Sequence, residues 1–217
     1  EFIHTTISAK SFAISKIKPI SRAFFKLIEI CNVLDIFHPF GITPIKSFHL
    51  AEGPGGFIEA MTYLRFNNKD QYYGMTLIDN SNNNIPGWKK TELFLQKNKN
   101  IHIENGADGT GNLYNPKNYK YCLEKYGNSM HFITGDGGFD FSVDYNRQES
   151  LALRLILTQV AYAIGMQAKG GTFILKIFDS FSKASIDILY ILASFYKSTY
   201  IIKPNTSRAA NSEKYVV

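Results

Sequence analysis

The 217-residue sequence contains little cysteine, and this scarcity excludes two common kinds of site. Its two cysteines, Cys31 and Cys122, form no CxxC pair and have no cluster of histidines near them, so we expect neither a disulfide framework nor a metal site. Each cysteine lies in an apolar stretch with helical spacing. We therefore predict that both are buried thiols in a reducing compartment.

Long apolar runs are absent as well. No window reaches the roughly 18 uninterrupted apolar residues that a membrane-spanning helix needs, and the first residues lack the basic, apolar and small-residue order of a signal peptide. We therefore expect a cytoplasmic protein without membrane contacts. Hydrophobic residues make up 45% of the chain, enough for one core. Because the sequence stops inside a predicted strand, residues 1–217 are interpreted as a single domain of a longer chain.

Acidic residues are fewer than basic ones. The chain has 18 Asp and Glu against 24 Lys and Arg, which gives a formal net charge of +6 at pH 7. Such an excess favours a polyanionic partner such as nucleic acid, although it indicates nothing about the fold.

Apolar spacing along the chain alternates between the periods of helix and strand. Helices are predicted over residues 21–37, with Ser21 as N-cap, and over 55–65, 149–168 and 186–196. Strands are predicted over 47–51, 72–78, 131–134, 171–178, 199–203 and from 214 onward. This alternation is typical of an α/β fold with a doubly wound, mostly parallel sheet, in which ligands bind beyond the carboxyl ends of the strands. The residues that follow strands are therefore the first candidates: Glu52–Gly56, Asp79, Asp136 and Lys176.

A glycine-rich loop, Ala51–Phe57 (AEGPGGF), follows the first predicted strand and opens a helix. It lacks the third glycine of the dinucleotide fingerprint and the Gly-Lys-Ser/Thr ending of a phosphate-binding loop. A carboxylate at Glu52 would repel phosphate, but it could accept a hydrogen bond from an ammonium group. The loop therefore favours S-adenosylmethionine over a nucleotide, and a tight turn without any ligand is the alternative.

Three further residues in or after predicted strands have competing interpretations. Asp79 could accept hydrogen bonds from the ribose hydroxyls of a nucleoside cofactor, as in other α/β folds. It could equally cap the loop that precedes an Asn-rich run. His49 and His131 lie in apolar strand contexts, so we predict core residues rather than bases.

Four further motifs each contain a lysine or carboxylate suited to proton transfer. They are Ser21–Ile30 (SRAFFKLIEI), Gly135–Phe139 (GDGGF), Gly170–Asp179 (GGTFILKIFD) and Lys203–Tyr215 (KPNTSRAANSEKY). Taken singly, their lysines and carboxylates could be solvated charges, strand ends or turn formers. Together with the glycine loop and Gly74–Leu77, and in this order, they resemble the FtsJ-like family of RNA 2′-O-methyltransferases. The resemblance is closer to the cap-specific mRNA ribose methyltransferases within that family.

The resemblance covers nearly the whole chain and implies a seven-stranded, Rossmann-like sheet of the S-adenosylmethionine-dependent methyltransferase type. It assigns catalysis to Lys26, Asp136, Lys176 and Glu213. With the interpretation of Asp79 given above, the expected contacts with S-adenosyl-L-methionine are Glu52, Gly53, Pro54, Gly55, Gly56, Phe57, Asp79, Asn112, Leu113 and Asp136. Asn112 departs from the family, which often has Asp at this position.

The expected partner is RNA, and the cap-like motifs imply capped mRNA. The resemblance assigns substrate contacts to Asn211 and to the stretch Asn146, Arg147 and Gln148. Arg22, Lys203 and Arg208 are added because they are basic and flank the catalytic motifs. Abundant Asn and Lys are typical of an AT-rich coding sequence, and we expect a source among the large cytoplasmic DNA viruses that encode their own capping enzymes.

The chemistry that this resemblance implies needs few groups. Methyl transfer to a ribose hydroxyl requires alignment of the nucleophile and removal of its proton, which a lysine can accept only when it is neutral. Ribosomal or transfer RNA methylation stays open, because the four catalytic residues are shared across the family. A catalytically silent RNA-binding scaffold also stays open. A dinucleotide-dependent dehydrogenase is disfavoured by the missing glycine.

Overall fold

The computed structural model describes residues 15–79, 81, 85, 87–89, 91–138 and 147–217. Within them the helices are α1 (Ala23–Val33), α2 (Gly56–Arg65), α3 (Glu92–Lys97), α4 (Pro116–Tyr126), α5 (Gln148–Met166) and α6 (Lys183–Phe195), with a 3₁₀ turn at His38–Phe40. The strands are β1 (Lys46–Leu50), β2 (Gln71–Met75), β3 (Ile101–Ile103), β4 (Met130–Gly135), β5 (Gln167–Ile177), β6 (Ile201–Ile202) and β7 (Lys214–Val216).

The seven strands form one sheet in the order β3-β2-β1-β4-β5-β7-β6. The pairs β3–β2, β2–β1, β1–β4 and β4–β5 are parallel, and β7 runs antiparallel to both of its neighbours. The predicted doubly wound, mostly parallel sheet is therefore confirmed. Strand order reverses between β1 and β4, so ligands are expected beyond the carboxyl ends of these two strands.

Each face of the sheet has its own apolar core. Residues of α1 and α2 pack with Ile174, Phe132 and Tyr215 on one face, while residues of α4, α5 and α6 pack with Phe173 and Leu175 on the other. Successive residues of a strand point to opposite faces. Lys176 therefore extends the row of Ile174 toward the face that α1 covers.

Several predicted boundaries are wrong. Helix α1 starts with Arg22 as N-cap and without a side-chain cap, so Ser21 does not have the predicted role, and the helix stops at Val33 rather than at residue 37. Helix α5 ends at Met166, and Gln167 and Ala168 already belong to β5. Strand β2 ends at Met75 instead of residue 78. Apolar residues continue past the ends of α1 and β2, so periodicity alone could not locate those two ends.

Three elements were missing from the sequence-based assignment. Helix α3 has six residues and β3 has three, too few for a period to be recognised. Helix α4 is mostly polar and buries only Asn118, Cys122 and Tyr126. Its start is nevertheless encoded locally, because the Asn115 side chain accepts a hydrogen bond from the Lys117 N–H and proline follows the cap.

The predictions for the two cysteines and the two strand histidines are confirmed only in part. Cys31 and Cys122 are buried free thiols, as predicted. His49 is fully buried between the hydroxyls of Ser47 and Thr134, each 2.8 Å from a ring nitrogen, and burial lowers its pKa to about 3. The prediction for His131 is wrong, because this half-exposed side chain accepts the Lys46 N–H through Nδ1 at 3.0 Å near the surface. Across the described part of the chain, helices are too short or too polar to cross a membrane.

Candidate active site

Asp136 and Lys176 meet at the carboxyl end of neighbouring strands. Asp136 follows β4, Lys176 is the penultimate residue of β5, and these strands pair in parallel. Lys176 Nζ donates to the main-chain oxygen of Asp136 at 2.9 Å and lies 3.4 Å from its Oδ1. The Lys176 and Asp136 side chains are 11% and 15% exposed, so a ligand can reach both.

Tyr215 completes this pair and was missed from the sequence. It lies opposite Lys176 in the antiparallel register of β5 and β7, and its hydroxyl donates to Asp136 Oδ1 at 2.8 Å. Burial, followed by the negative charges of Asp136 and Glu213, raises the pKa of Tyr215 well above its ordinary value. The hydroxyl therefore remains a donor and orients the carboxylate. It was predicted only as part of the last strand, from residue 214 onward.

Lys26 and Glu213 form a second ion pair at the same edge. Lys26 on α1 contacts Glu213 Oε1 at 2.7 Å and Oε2 at 2.9 Å, across 187 residues of sequence. Burial alone would raise the pKa of Glu213, but Lys26, Lys176 and a hydrogen bond from Ser207 outweigh it and hold the pKa below its ordinary value. Glu213 thus lies in the field of both ammonium groups. The structure brings all four residues of the expected catalytic group into one cluster.

The glycine loop joins β1 to α2 beside this cluster. A tight turn is closed by the Gly55 N–H, which donates to the Glu52 carbonyl at 2.8 Å, and Gly55 has a φ of +112° that favours glycine. A side chain at Gly56 would collide with Ser21, since a Cβ there would lie 2.0 Å from Ser21 Oγ. Pro54 lies inside this turn, and Phe57 is fully buried in the core beneath it.

Glu52 has a different role from the one expected of a free acceptor. Its Oε1 accepts the N–H groups of Phe57 and Ile58, at 2.8 and 3.0 Å, and so caps α2. Burial raises its pKa to about 8, and the nearby charge of Asp136 adds to this shift. A buried carboxyl with this pKa favours a cationic ligand, because a positive charge would stabilise its ionised form.

The remaining expected cofactor residues lie beyond β2. Asp79 Oδ1 accepts from both the N–H and the hydroxyl of Ser81, at 2.9 and 2.6 Å, as a loop-capping carboxylate does. Asn112 Oδ1 accepts the Tyr114 N–H, and Leu113 is buried. This segment packs against the end of β2, where the Ile78 N–H donates to the Thr110 carbonyl. Carboxylates of Glu52, Asp79 and Asp136 therefore follow three adjacent strands, which suits a cationic nucleoside such as S-adenosylmethionine.

The expected substrate residues separate into internal and exposed groups. Lys203 Nζ donates to the Asn211 carbonyl at 2.6 Å, to Asn211 Oδ1 at 3.0 Å and to the Glu213 carbonyl at 3.2 Å, so this lysine is engaged within the protein. Gln148 accepts from Ser212 next to Glu213. Arg147 and Arg208 are exposed and Arg22 is half-buried, while Asn146 lies outside the described residues.

Trp88, the single tryptophan of the chain, packs beside the glycine loop. A Cβ placed on Gly74 would lie 2.6 Å from its ring, and one on Gly55 would lie 3.6 Å from it. Two surface depressions, of 560 and 610 Å³, lie at the amino ends of the strands. Asn100, before β3, lines the first, and Lys169, early in β5, lines the second. Trp88 touches the glycine loop, so its fluorescence can report on that loop.

Comparison with known proteins gives a consistent result. The model of the family described as FtsJ-like methyltransferase matches residues 19–217. The chain is 35% identical over 176 residues to human cap-specific mRNA (nucleoside-2'-O-)-methyltransferase 1, covering 76% of this chain and 20% of that protein. It is 26% identical over 215 residues to the Drosophila melanogaster methyltransferase 2 of the same description, covering 93% of this chain and 31% of that one.

Solved structures share the fold. A putative ribosomal RNA methyltransferase from Plasmodium falciparum superposes with a TM-score of 0.60 at 19% identity, covering 90% of this chain and 94% of that one. Human methyltransferase-like protein 13, whose structure is a complex with SAH, gives a TM-score of 0.50 at 13% identity, with 87% and 78% covered. The chain spans about a fifth of the length of the cap-specific methyltransferase 1 relatives that it matches.

Proposed function

We propose that this chain, which belongs to the FtsJ-like methyltransferase family, transfers a methyl group from S-adenosylmethionine to a ribose 2′-hydroxyl of RNA, in the first transcribed nucleotides of capped mRNA. The observation that carries the proposal is the cluster of two lysine–carboxylate pairs at the carboxyl edge, beside an acidic glycine loop. The cap-specific relatives named above support the choice of RNA.

In this proposal Lys176 is the base that accepts the proton of the 2′-hydroxyl. When bound, S-adenosylmethionine supplies a methyl group that its sulfonium already activates. Asp136 orients Lys176 through the contacts of 2.9 and 3.4 Å, and Tyr215 orients Asp136. Lys26, held by Glu213, contributes a positive charge that would stabilise a developing alkoxide.

Cofactor binding is assigned to Glu52–Phe57, with Asp79, Asn112 and Leu113 at the nucleoside end and Asp136 near both. The loop itself contains no lysine or arginine that would bind phosphate. Trp88 fluorescence, titrated with S-adenosylmethionine or with NAD, tests this assignment directly. Tighter binding of NAD, or unchanged affinity after Gly55→Val, would refute it.

The decisive experiment is a methyl-transfer assay on matched capped and uncapped RNAs, with nuclease mapping of the modified nucleotide. Transfer to the first nucleotides of capped RNA alone is the expected result. Equal transfer to uncapped ribosomal or transfer RNA would favour the wider family activity. Cofactor and RNA binding without transfer would indicate the silent scaffold.

RNA contacts are proposed at Arg22, Arg147, Gln148, Arg208 and Asn211, and at Asn146. Lys203 is proposed to act on the substrate through Asn211, because its ammonium is engaged there. Phosphate contacts release counterions, so RNA affinity should weaken as salt rises. Filter binding at several salt concentrations, with Arg208→Ala as the variant, measures this slope.

A further inference from the structure

Glu29 on α1 forms a network of contacts that the reaction described above does not use. It lies three residues after Lys26, on neighbouring turns of the same helix. Its Oε1 accepts from the N–H and the side-chain amide of Asn205, at 2.7 and 3.0 Å. Its Oε2 accepts from the N–H and hydroxyl of Thr206, at 2.9 and 2.8 Å. One carboxylate thus fastens the segment after β6 to α1.

The same segment continues directly to Glu213. Ser207, the next residue, is buried and donates its hydroxyl to Glu213 Oε1 at 2.9 Å. Lys203, at the other end of the segment, donates to the Glu213 carbonyl. Glu213 in turn binds Lys26. The contacts therefore close a ring that begins at Glu29 and returns to α1 one turn away.

Lys26 and Glu213 share no β-ladder, so their relative position depends on side-chain contacts such as those of this ring. A helix and an irregular segment can shift relative to one another unless other contacts hold them. Burial raises the pKa of Glu29, but the four hydrogen bonds outweigh it and keep the pKa below its ordinary value, so the carboxylate stays charged at neutral pH. Charge-assisted hydrogen bonds of this kind are among the stronger ones.

We propose that Glu29 is a positioning residue for the Lys26–Glu213 pair: it holds segment 203–213 against α1 and thereby sets where the Lys26 ammonium lies. This inference rests on the proposed methyl transfer. It assigns Glu29 no contact with RNA or cofactor. Its loss should therefore lower the rate of transfer while cofactor affinity, which depends on the glycine loop, stays unchanged.

The test compares Glu29→Gln and Glu29→Ala with the control Glu92→Gln, which removes one exposed charge from α3. Loss of alignment can cost about 100-fold in rate, so we expect kcat to fall roughly 10- to 100-fold for alanine. Glutamine should restore part of the rate, because its one carbonyl oxygen can still accept from Asn205. Cofactor affinity from Trp88 fluorescence should change less than about twofold for all three, and the control should keep its rate.

Hydrogen exchange separates positioning from general loss of folding. Glu29→Ala should speed exchange at residues 203–213 and leave β1, β4 and β5 protected. Ser207→Ala breaks the ring at another link, so the Glu29→Gln/Ser207→Ala double variant should lose less than the product of the single losses. An unchanged kcat in active Glu29→Ala enzyme, or a parallel loss of cofactor affinity, would overturn the proposal. Inactivity of the wild-type chain would instead count against the proposed function.

Discussion

The two ion pairs of the site are supported by different parts of the molecule. Asp136 and Lys176 extend from paired strands, and a third strand supplies Tyr215. The backbone ladders include Lys176 and Tyr215 and end one residue before Asp136. Lys26 and Glu213 are joined from a helix and an irregular segment through the ring of side chains around Glu29. The first pair therefore depends on the sheet, and the second depends on individual hydrogen bonds.

This contrast predicts how each pair responds to substitution. A substitution in the strand-borne pair, Asp136 and Lys176, should alter the chemistry with little structural disturbance, because the ladders persist. A substitution in the helix-borne pair, Lys26 and Glu213, should disturb both geometry and stability. Four experiments follow, from the largest expected effect to the smallest; three can break or sharpen this distinction, and one tests the glycine loop beside both pairs.

The largest effect is expected for Lys176→Ala in the strand-borne pair. Loss of a positioned base removes a factor of about 100 to 10,000 from the rate, while cofactor binding and fold should persist. Lys176→Arg keeps the charge but cannot act as a base at neutral pH. Substantial activity in the arginine variant, with the 2′-O-methyl product verified by mass spectrometry, would show that Lys176 acts through its charge and not as a base.

Lys26→Met should lower both activity and stability. Without Lys26, burial should carry the pKa of Glu213 upward, and a buried carboxyl whose folded pKa is raised destabilises the protein as pH rises. Because the pair is partly accessible, we expect a loss of about 1–3 kcal/mol at pH 8, less than for a fully buried pair, and a smaller loss at pH 5. Urea unfolding at both pH values measures this. Lys183→Met, which breaks the exposed pair with Asp187, should cost only about 0.5 kcal/mol.

Cofactor affinity should increase with pH between 6 and about 7.5. The carboxyl of Glu52 has a pKa of about 8, so it is mostly protonated in this range and must ionise to bind a cation. Affinity should therefore rise up to about tenfold per pH unit. Trp88 fluorescence titrations measure it, and Glu52→Gln, which keeps an acceptor for the α2 amides, should flatten the dependence. A steep dependence in that variant would assign the proton to another group.

The smallest effect is expected for Tyr215→Phe. It removes one hydrogen bond to Asp136 worth about 1 kcal/mol, so kcat should fall by roughly fivefold and the free energy of unfolding by no more than about 1 kcal/mol. Tyr162→Phe is the matched control, because among the described residues this buried hydroxyl has no hydrogen-bond partner. An unchanged kcat in Tyr215→Phe, or an equal loss of kcat in Tyr162→Phe, would show that the Asp136–Lys176 pair does not need the Tyr215 hydroxyl.

Much of the fold and half of the site follow from local patterns. Alternating helical and strand periods predicted the doubly wound sheet, and strand ends pointed to Asp136 and Lys176, because chain geometry alone determines which residues follow a strand. The resemblance to a family then identified Lys26 and Glu213 as well. Short or polar elements such as β3 and α4 were not predicted, because they bury too few residues to give a recognisable apolar spacing.

What the sequence by itself determined is therefore the order of elements, the glycine loop and the chemical groups available at the carboxyl edge. Only the tertiary structure decided that Lys26 meets Glu213 across 187 residues, that Tyr215 holds Asp136, and that Glu52 caps a helix. The physical reason is range: backbone periodicity acts over a few residues and is visible in sequence. Contacts between distant residues depend on how helices and loops dock, and the buried hydrogen bonds formed there decide the final geometry.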